Sequence, residues 1–194
     1  EYEHHHDEHN NKKNTHDEDD EHDEHSHEYN SHIWLNTSNY LTQIDNICDE
    51  LIKTYPSYKD TFKANKETYS SKVKEVQKKM GELVNLAKDK KTVVFHDAFF
   101  YFADEIHLDV IDCINIGEET SLNAREISEA IDKIKENDIK ILLIEKQYDK
   151  TIANSITSET DAKIYVFDSL VSSDSKSLNS YIDGMENNIE VIKK

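Results

Sequence analysis

The chain has few of the residues that punctuate folds: three glycines and one proline among 194 residues. A loop that cradles phosphate needs clustered glycines, so a Gly-rich phosphate loop is excluded. The two cysteines, Cys48 and Cys113, match no zinc or redox spacing. They read as buried thiols, one on an apolar helix face and one in a strand, with a Cys48–Cys113 disulfide as the alternative. No apolar stretch approaches the roughly 20 residues that span a bilayer. Basic residues are also scarce, 23 Lys and Arg against 41 Asp and Glu, for a formal net charge of -18. Nucleic acid and anionic membrane surfaces both select for clustered Lys and Arg, so neither is the expected partner. A chain this negative attracts cations instead.

What is abundant is histidine, in one place. Residues 1–31 carry eight of the eleven histidines (His4, His5, His6, His9, His16, His22, His25 and His27) with twelve acids and two lysines. Such a composition buries too little surface to offset the entropy lost on ordering, so a mobile loop or tail is expected. Near neutral pH most of these imidazoles are unprotonated. They then suit loose, multiple binding of zinc, copper or nickel without a fixed geometry. The segment is a candidate metal-collecting loop; the alternative is a solvated acidic loop with incidental histidine.

From residue 36 the pattern turns helical. Leu41, Ile44, Ile47, Cys48, Leu51, Ile52 and Tyr55 recur at helical spacing, with Asn36 or Thr37 as the cap. Pro56 separates this helix from a second over 57–88. The apolar positions of the second are Phe62, Tyr69, Val73, Val76, Met80, Leu83 and Ala87. At about 1.5 Å per residue it reaches about 45 Å, which suggests a rigid strut, with a coiled-coil arm as the alternative. Beyond residue 89, short apolar strands are expected over 92–96, 110–116, 139–144 and 163–167. Helices are expected over 98–106, 122–137 behind a Ser121 cap, 150–158 and 177–192. This alternation predicts an α/β fold: a parallel, Rossmann-like four-stranded sheet flanked by helices and preceded by a long backbone helix.

Ligands of an open parallel sheet bind beyond the carboxyl ends of its strands. His96, Glu145 and Asp168 stand at the expected ends of the first, third and fourth strands, and His32 just precedes the first long helix. Neutral imidazoles and a carboxylate are usual tetrahedral zinc ligands, and two His with one Asp leave one place open. The plainer readings are a satisfied rim histidine and an Asp168 that caps toward Ser169 and Leu170.

Three stretches carry a resemblance. They are His32-Ile33-Trp34-Leu35-Asn36, Val94-Phe95-His96-Asp97-Ala98-Phe99-Phe100-Tyr101-Phe102, and Ile144-Glu145-Lys146-Gln147-Tyr148 with the later Phe167-Asp168-Ser169-Leu170. In order and separation they resemble the metal-specific solute-binding proteins of ABC transporters (cluster A-I), in particular the zinc type. The acidic His-rich stretch is similar to that type's variable loop. The resemblance implies that His32 and His96 are metal ligands and that Asp168 binds the metal or lies close to it. Glu145 would stand behind them as support. A remaining histidine ligand would come from an N-terminal lobe. The chain starts at Glu1 without Met or signal peptide, so it reads as a fragment lacking that lobe. The division expected is 1–31 for the His-rich loop, 32–88 for the ligand-bearing segment and interlobe helices, and 89–194 for the C-terminal lobe. Manganese-type relatives carry Glu where this chain has His96, and more imidazole favours zinc. The chain departs from the pattern at Asn36 and Thr37 in place of Asp-Pro, at Lys146 and Ser169 in place of prolines, and at His107 in place of Gly. His107 reads as a surface residue.

The function implied is extracytoplasmic capture of Zn2+, by a protein that is lipid-anchored or periplasmic, for delivery to an ABC permease in the membrane. An isolated lobe would expose apolar surface and favour a non-native dimer. The alternatives are a manganese or iron binder of the same family and a surface adhesin or interaction lipoprotein built on the long helices. A zinc hydrolase would need Glu145 as general base and lacks a His-Glu-x-x-His motif, so a binding protein is expected, not an enzyme.

Overall fold

A computed structural model describes residues 29–114, 122–148, 150–171 and 177–194. The eight histidines of the expected metal-collecting loop, Ser121 and the end of the expected second strand lie outside them. One compact unit spans His32–Lys194.

A single 3-10 turn, Ile33–Leu35, leads into helix α1, Thr37–Thr54. Asn36 caps α1 by accepting from the Asn39 N–H at 3.1 Å. Pro56 opens another single turn, Pro56–Tyr58, and helix α2 follows as Lys59–Ala87. Its 29 residues rise about 43 Å. Four further helices follow among the described residues: α3 (Phe100–Glu105), α4 (Ala124–Glu136), α5 (Thr151–Ser158) and α6 (Ser180–Ile192). The stripe of α2 from Val73 through Val76, Met80 and Leu83 to Ala87 is buried. It joins one core with α3 and α6, so the strut packs within its own chain.

The strands are β1 (Lys91–Val94), β2 (Asp109–Cys113), β3 (Ile141–Glu145) and β4 (Lys163–Phe167), all parallel in the order β2-β1-β3-β4. Alternate residues face opposite sides, as the pleat requires. Val94, Leu143 and Phe167 join the core under α2, α3 and α6. Val93, Leu142 and Ile144 join the second core, which includes Ala130 and Ile134 of α4 and Ala153 and Ile156 of α5.

Some boundaries shift from expectation, each for a local reason. β3 runs on through Glu145 because the Lys146 N–H continues the ladder onto the Phe167 carbonyl at 2.7 Å. α4 begins at Ala124 behind a capping box, in which Asn123 accepts from the Glu126 N–H while the Glu126 side chain accepts from the Asn123 N–H. The turn after α3 places His107 at φ 60, the conformation glycine takes freely. Cys48 is buried, Cys113 half-buried, and no disulfide joins them. Burial, with Asp97 and Asp112 adding, pushes the Cys113 thiol up to about 12.

Candidate metal centre

The chain runs from β1 to β2 on one side, then crosses to β3 on the other side of β1. The carboxyl ends of β1 and β3 therefore flank the topological switch point, where α/β sheets place their ligands. His96 follows β1 in extended backbone, and Glu145 closes β3. The pairing Val94↔Leu143 brings these two ends side by side.

Glu145 is wholly buried, yet both carboxylate oxygens are satisfied. Oε2 lies 2.9 Å from His96 Nδ1, and Oε1 accepts from the Ser169 N–H at 3.1 Å. A carboxylate that accepts from Nδ1 fixes the His96 tautomer in which Nε2 keeps its lone pair for a metal. The ring is further steadied by Phe99 and Tyr148, with centroids 6.1 and 5.7 Å away.

His32 enters from the turn before α1. Its ring meets that of His96 edge-on, with centroids 4.8 Å apart, and that of Trp34 at 5.3 Å. Burial is the main cause that lowers its pKa, with the nearby His96 adding and the Asp97 and Glu145 carboxylates opposing. The neutral form this favours is the one that donates to a metal.

Asp97, which opens the short turn after His96, is the carboxylate that joins the two imidazoles. Its Oδ1 lies 3.6 Å from His32 Nδ1 and 3.3 Å from His96 Nε2. One ligand atom from each of His32, His96 and Asp97 lies within 4.8 Å of the others, and among the described residues no other such group of three forms. Imidazole nitrogen and carboxylate oxygen are donor types that zinc takes, and tetrahedral zinc donors stand about 3.3 Å apart, the scale of the Asp97 separations. Sequence reasoning passed over Asp97, although it stands inside the quoted Phe95-His96-Asp97 stretch.

Asp168 stands at the neighbouring end of β4, outside this group of three. Its Oδ1 accepts from the Leu170 N–H at 2.9 Å and its Oδ2 lies 3.4 Å from Lys146 Nζ. The loop that carries it is nonetheless tied to both histidine segments. Glu145 holds the Ser169 N–H, and the Trp34 indole donates to the Ser169 carbonyl at 2.8 Å. Tyr181 of α6 in turn donates to the Trp34 carbonyl at 2.9 Å. His107 is exposed and takes no part. A cavity of about 680 Å³ opens at the amino ends of the strands, among Lys91, Ile141 and Lys163, and contains none of these residues.

A parallel sheet with candidate metal donors at its switch point, laid against a long helix, is the fold of the α/β solute-binding proteins. The Zn(II)-bound ZnuA-like domain of Streptococcus pneumoniae AdcA has the same fold, with a TM-score of 0.73, 28% identity, and coverage of 86% of this chain and 63% of that one. The chain belongs to the family described as zinc-uptake complex component A, periplasmic, which it matches over residues 3–194. It is 30% identical over 195 residues to the zinc-binding protein AdcA of Streptococcus pyogenes serotype M3, covering 99% of this chain and 38% of the relative. It is 29% identical over 181 residues to the zinc-binding lipoprotein AdcA of S. pneumoniae strain R6, covering 92% and 36%. The chain thus spans little more than a third of the length of these relatives. Among the described residues no helix is long and apolar enough to cross a membrane.

Proposed function

We propose that this chain is the zinc-capturing part of the solute-binding component of a zinc ABC importer, held outside the cytoplasm, with Zn2+ as its cargo and a membrane permease as its acceptor. The observation that carries this is the pair of imidazoles at the sheet's switch point, one of them locked by a buried carboxylate. His32 and His96 supply the nitrogen donors, and Asp97 or Asp168 the oxygen. A further ligand belongs to an N-terminal lobe. Residues 1–31 form the metal-collecting loop, 32–88 the ligand-bearing segment and interlobe helices, and 89–194 the C-terminal lobe.

Two features favour binding over other readings. Glu145 has both oxygens engaged and no exposed surface, which speaks against it as a general base. The apolar stripe of α2 is covered by the chain itself from Val73 to Ala87, while Phe62 and Tyr69 at its start are half-buried, so only the buried stretch is withdrawn from helix-mediated adhesion. Two imidazoles also favour zinc over the harder manganese.

Zinc titration of the full-length protein against a competing chelator tests the reading. His32→Ala and His96→Ala are each expected to weaken binding by more than the roughly 10–100-fold typical of losing an outer partner. Unchanged affinity in both variants defeats the assignment. Competition between zinc and manganese separates the manganese or iron alternative.

A further inference from the structure

The loop after β3 carries a lysine, Lys146, immediately after the buried Glu145. Its backbone N–H is pinned to the Phe167 carbonyl at 2.7 Å, which fixes the start of its side chain beside the end of β4. From there Nζ reaches to 3.4 Å of Asp168 Oδ2, with the lysine 70% and the aspartate 28% exposed. The other oxygen of Asp168 is taken by the Leu170 N–H. Both oxygens of this carboxylate are thus engaged, in the loop that Glu145 and Trp34 tie, through Ser169, to the His96 and His32 segments.

We propose that Lys146 is a specificity-determining residue of the metal site. Its ammonium competes with the incoming cation for Asp168, so an ion held there depends on imidazole nitrogen more than on carboxylate oxygen. Oxygen ligands matter most to hard cations such as manganese, and imidazole suits zinc. A competing ammonium therefore penalises manganese more than zinc. Because the pair is solvent-exposed, the effect is small in scale, about two- to fivefold in affinity. The inference rests on the zinc-site reading above, with Asp168 as the oxygen donor, and adds to it the source of discrimination.

The test uses the full-length protein and measures zinc and manganese affinity separately by chelator competition. The variants are Lys146→Met, Lys146→Gln, Lys146→Arg, Asp168→Asn and Lys146→Met with Asp168→Asn. Removing the charge should tighten manganese binding about two- to fivefold and zinc binding less, while Lys146→Arg behaves as the parent. In the Asp168→Asn background the gain should vanish. An unchanged manganese-to-zinc ratio in both charge-removing variants overturns the proposal. So does a gain that persists without the Asp168 carboxylate, because the lysine would then act only through overall charge. Failure of the zinc-site reading itself shows separately, as zinc binding indifferent to His32→Ala and His96→Ala.

Discussion

At Glu145 a buried carboxylate joins three segments: its own strand, the His96 ring and the Ser169 backbone. Removing it strands a buried N–H and releases the ring, and an unsatisfied buried donor costs about 1–3 kcal/mol. Glu145→Ala is therefore expected to lower stability by about that amount in urea denaturation and to weaken zinc binding about 10–100-fold. Folding loss without affinity loss would show that Glu145 supports the sheet and not the site. The residues at the strand ends were legible in the sequence, since an apolar run followed by His, Glu or Asp marks a side chain emerging from a sheet. Asp97 was not, because its place between two imidazoles depends on the His32 turn arriving from 65 positions away in the chain. The engagement of Asp168 by Lys146 was equally invisible, as it depends on which strands are neighbours.

Among the elements, the helices and strands followed from periodicity and apolar runs, and the departures lie at their ends, where capping decides. Asn123 rather than Ser121 stands at the start of α4 because its side chain and that of Glu126 satisfy each other's backbone donors. The turn between α3 and β2 shows a different compromise. His107 holds φ 60, a left-handed conformation that costs an L-residue about 1–2 kcal/mol. Glycine relieves that strain but loses more entropy on folding, about 0.5–1 kcal/mol. His107→Gly is therefore expected to leave stability unchanged or raise it by up to about 1 kcal/mol, measured by thermal unfolding. A clear loss would mean that the imidazole itself contributes to the turn.

In the molecule as a whole, Glu105 ties α3 to the start of α1, where it accepts from both the backbone N–H and the hydroxyl of Thr37. Burial raises its pKa, against the opposing pull of the Thr37 hydrogen bonds. The folded chain thus keeps this proton to a higher pH than the unfolded chain does. Stability from this group accordingly falls as pH rises from the ordinary carboxylate value through the raised one. Urea denaturation between about pH 4 and 8 should show the decline, and Glu105→Gln should flatten it. An identical pH dependence in the variant would place the origin elsewhere. The strand order, by contrast, was not legible, since periodicity shows that strands are parallel and buried without showing which ones touch. That order is what puts His96 and Glu145 together. Trp34, the chain's single tryptophan, packs 5.3 Å from the His32 ring while its indole grips the loop beside Asp168. The protein therefore carries its own optical gauge, because an ion that turns the His32 ring or slackens that loop changes the surroundings of its only indole fluorophore.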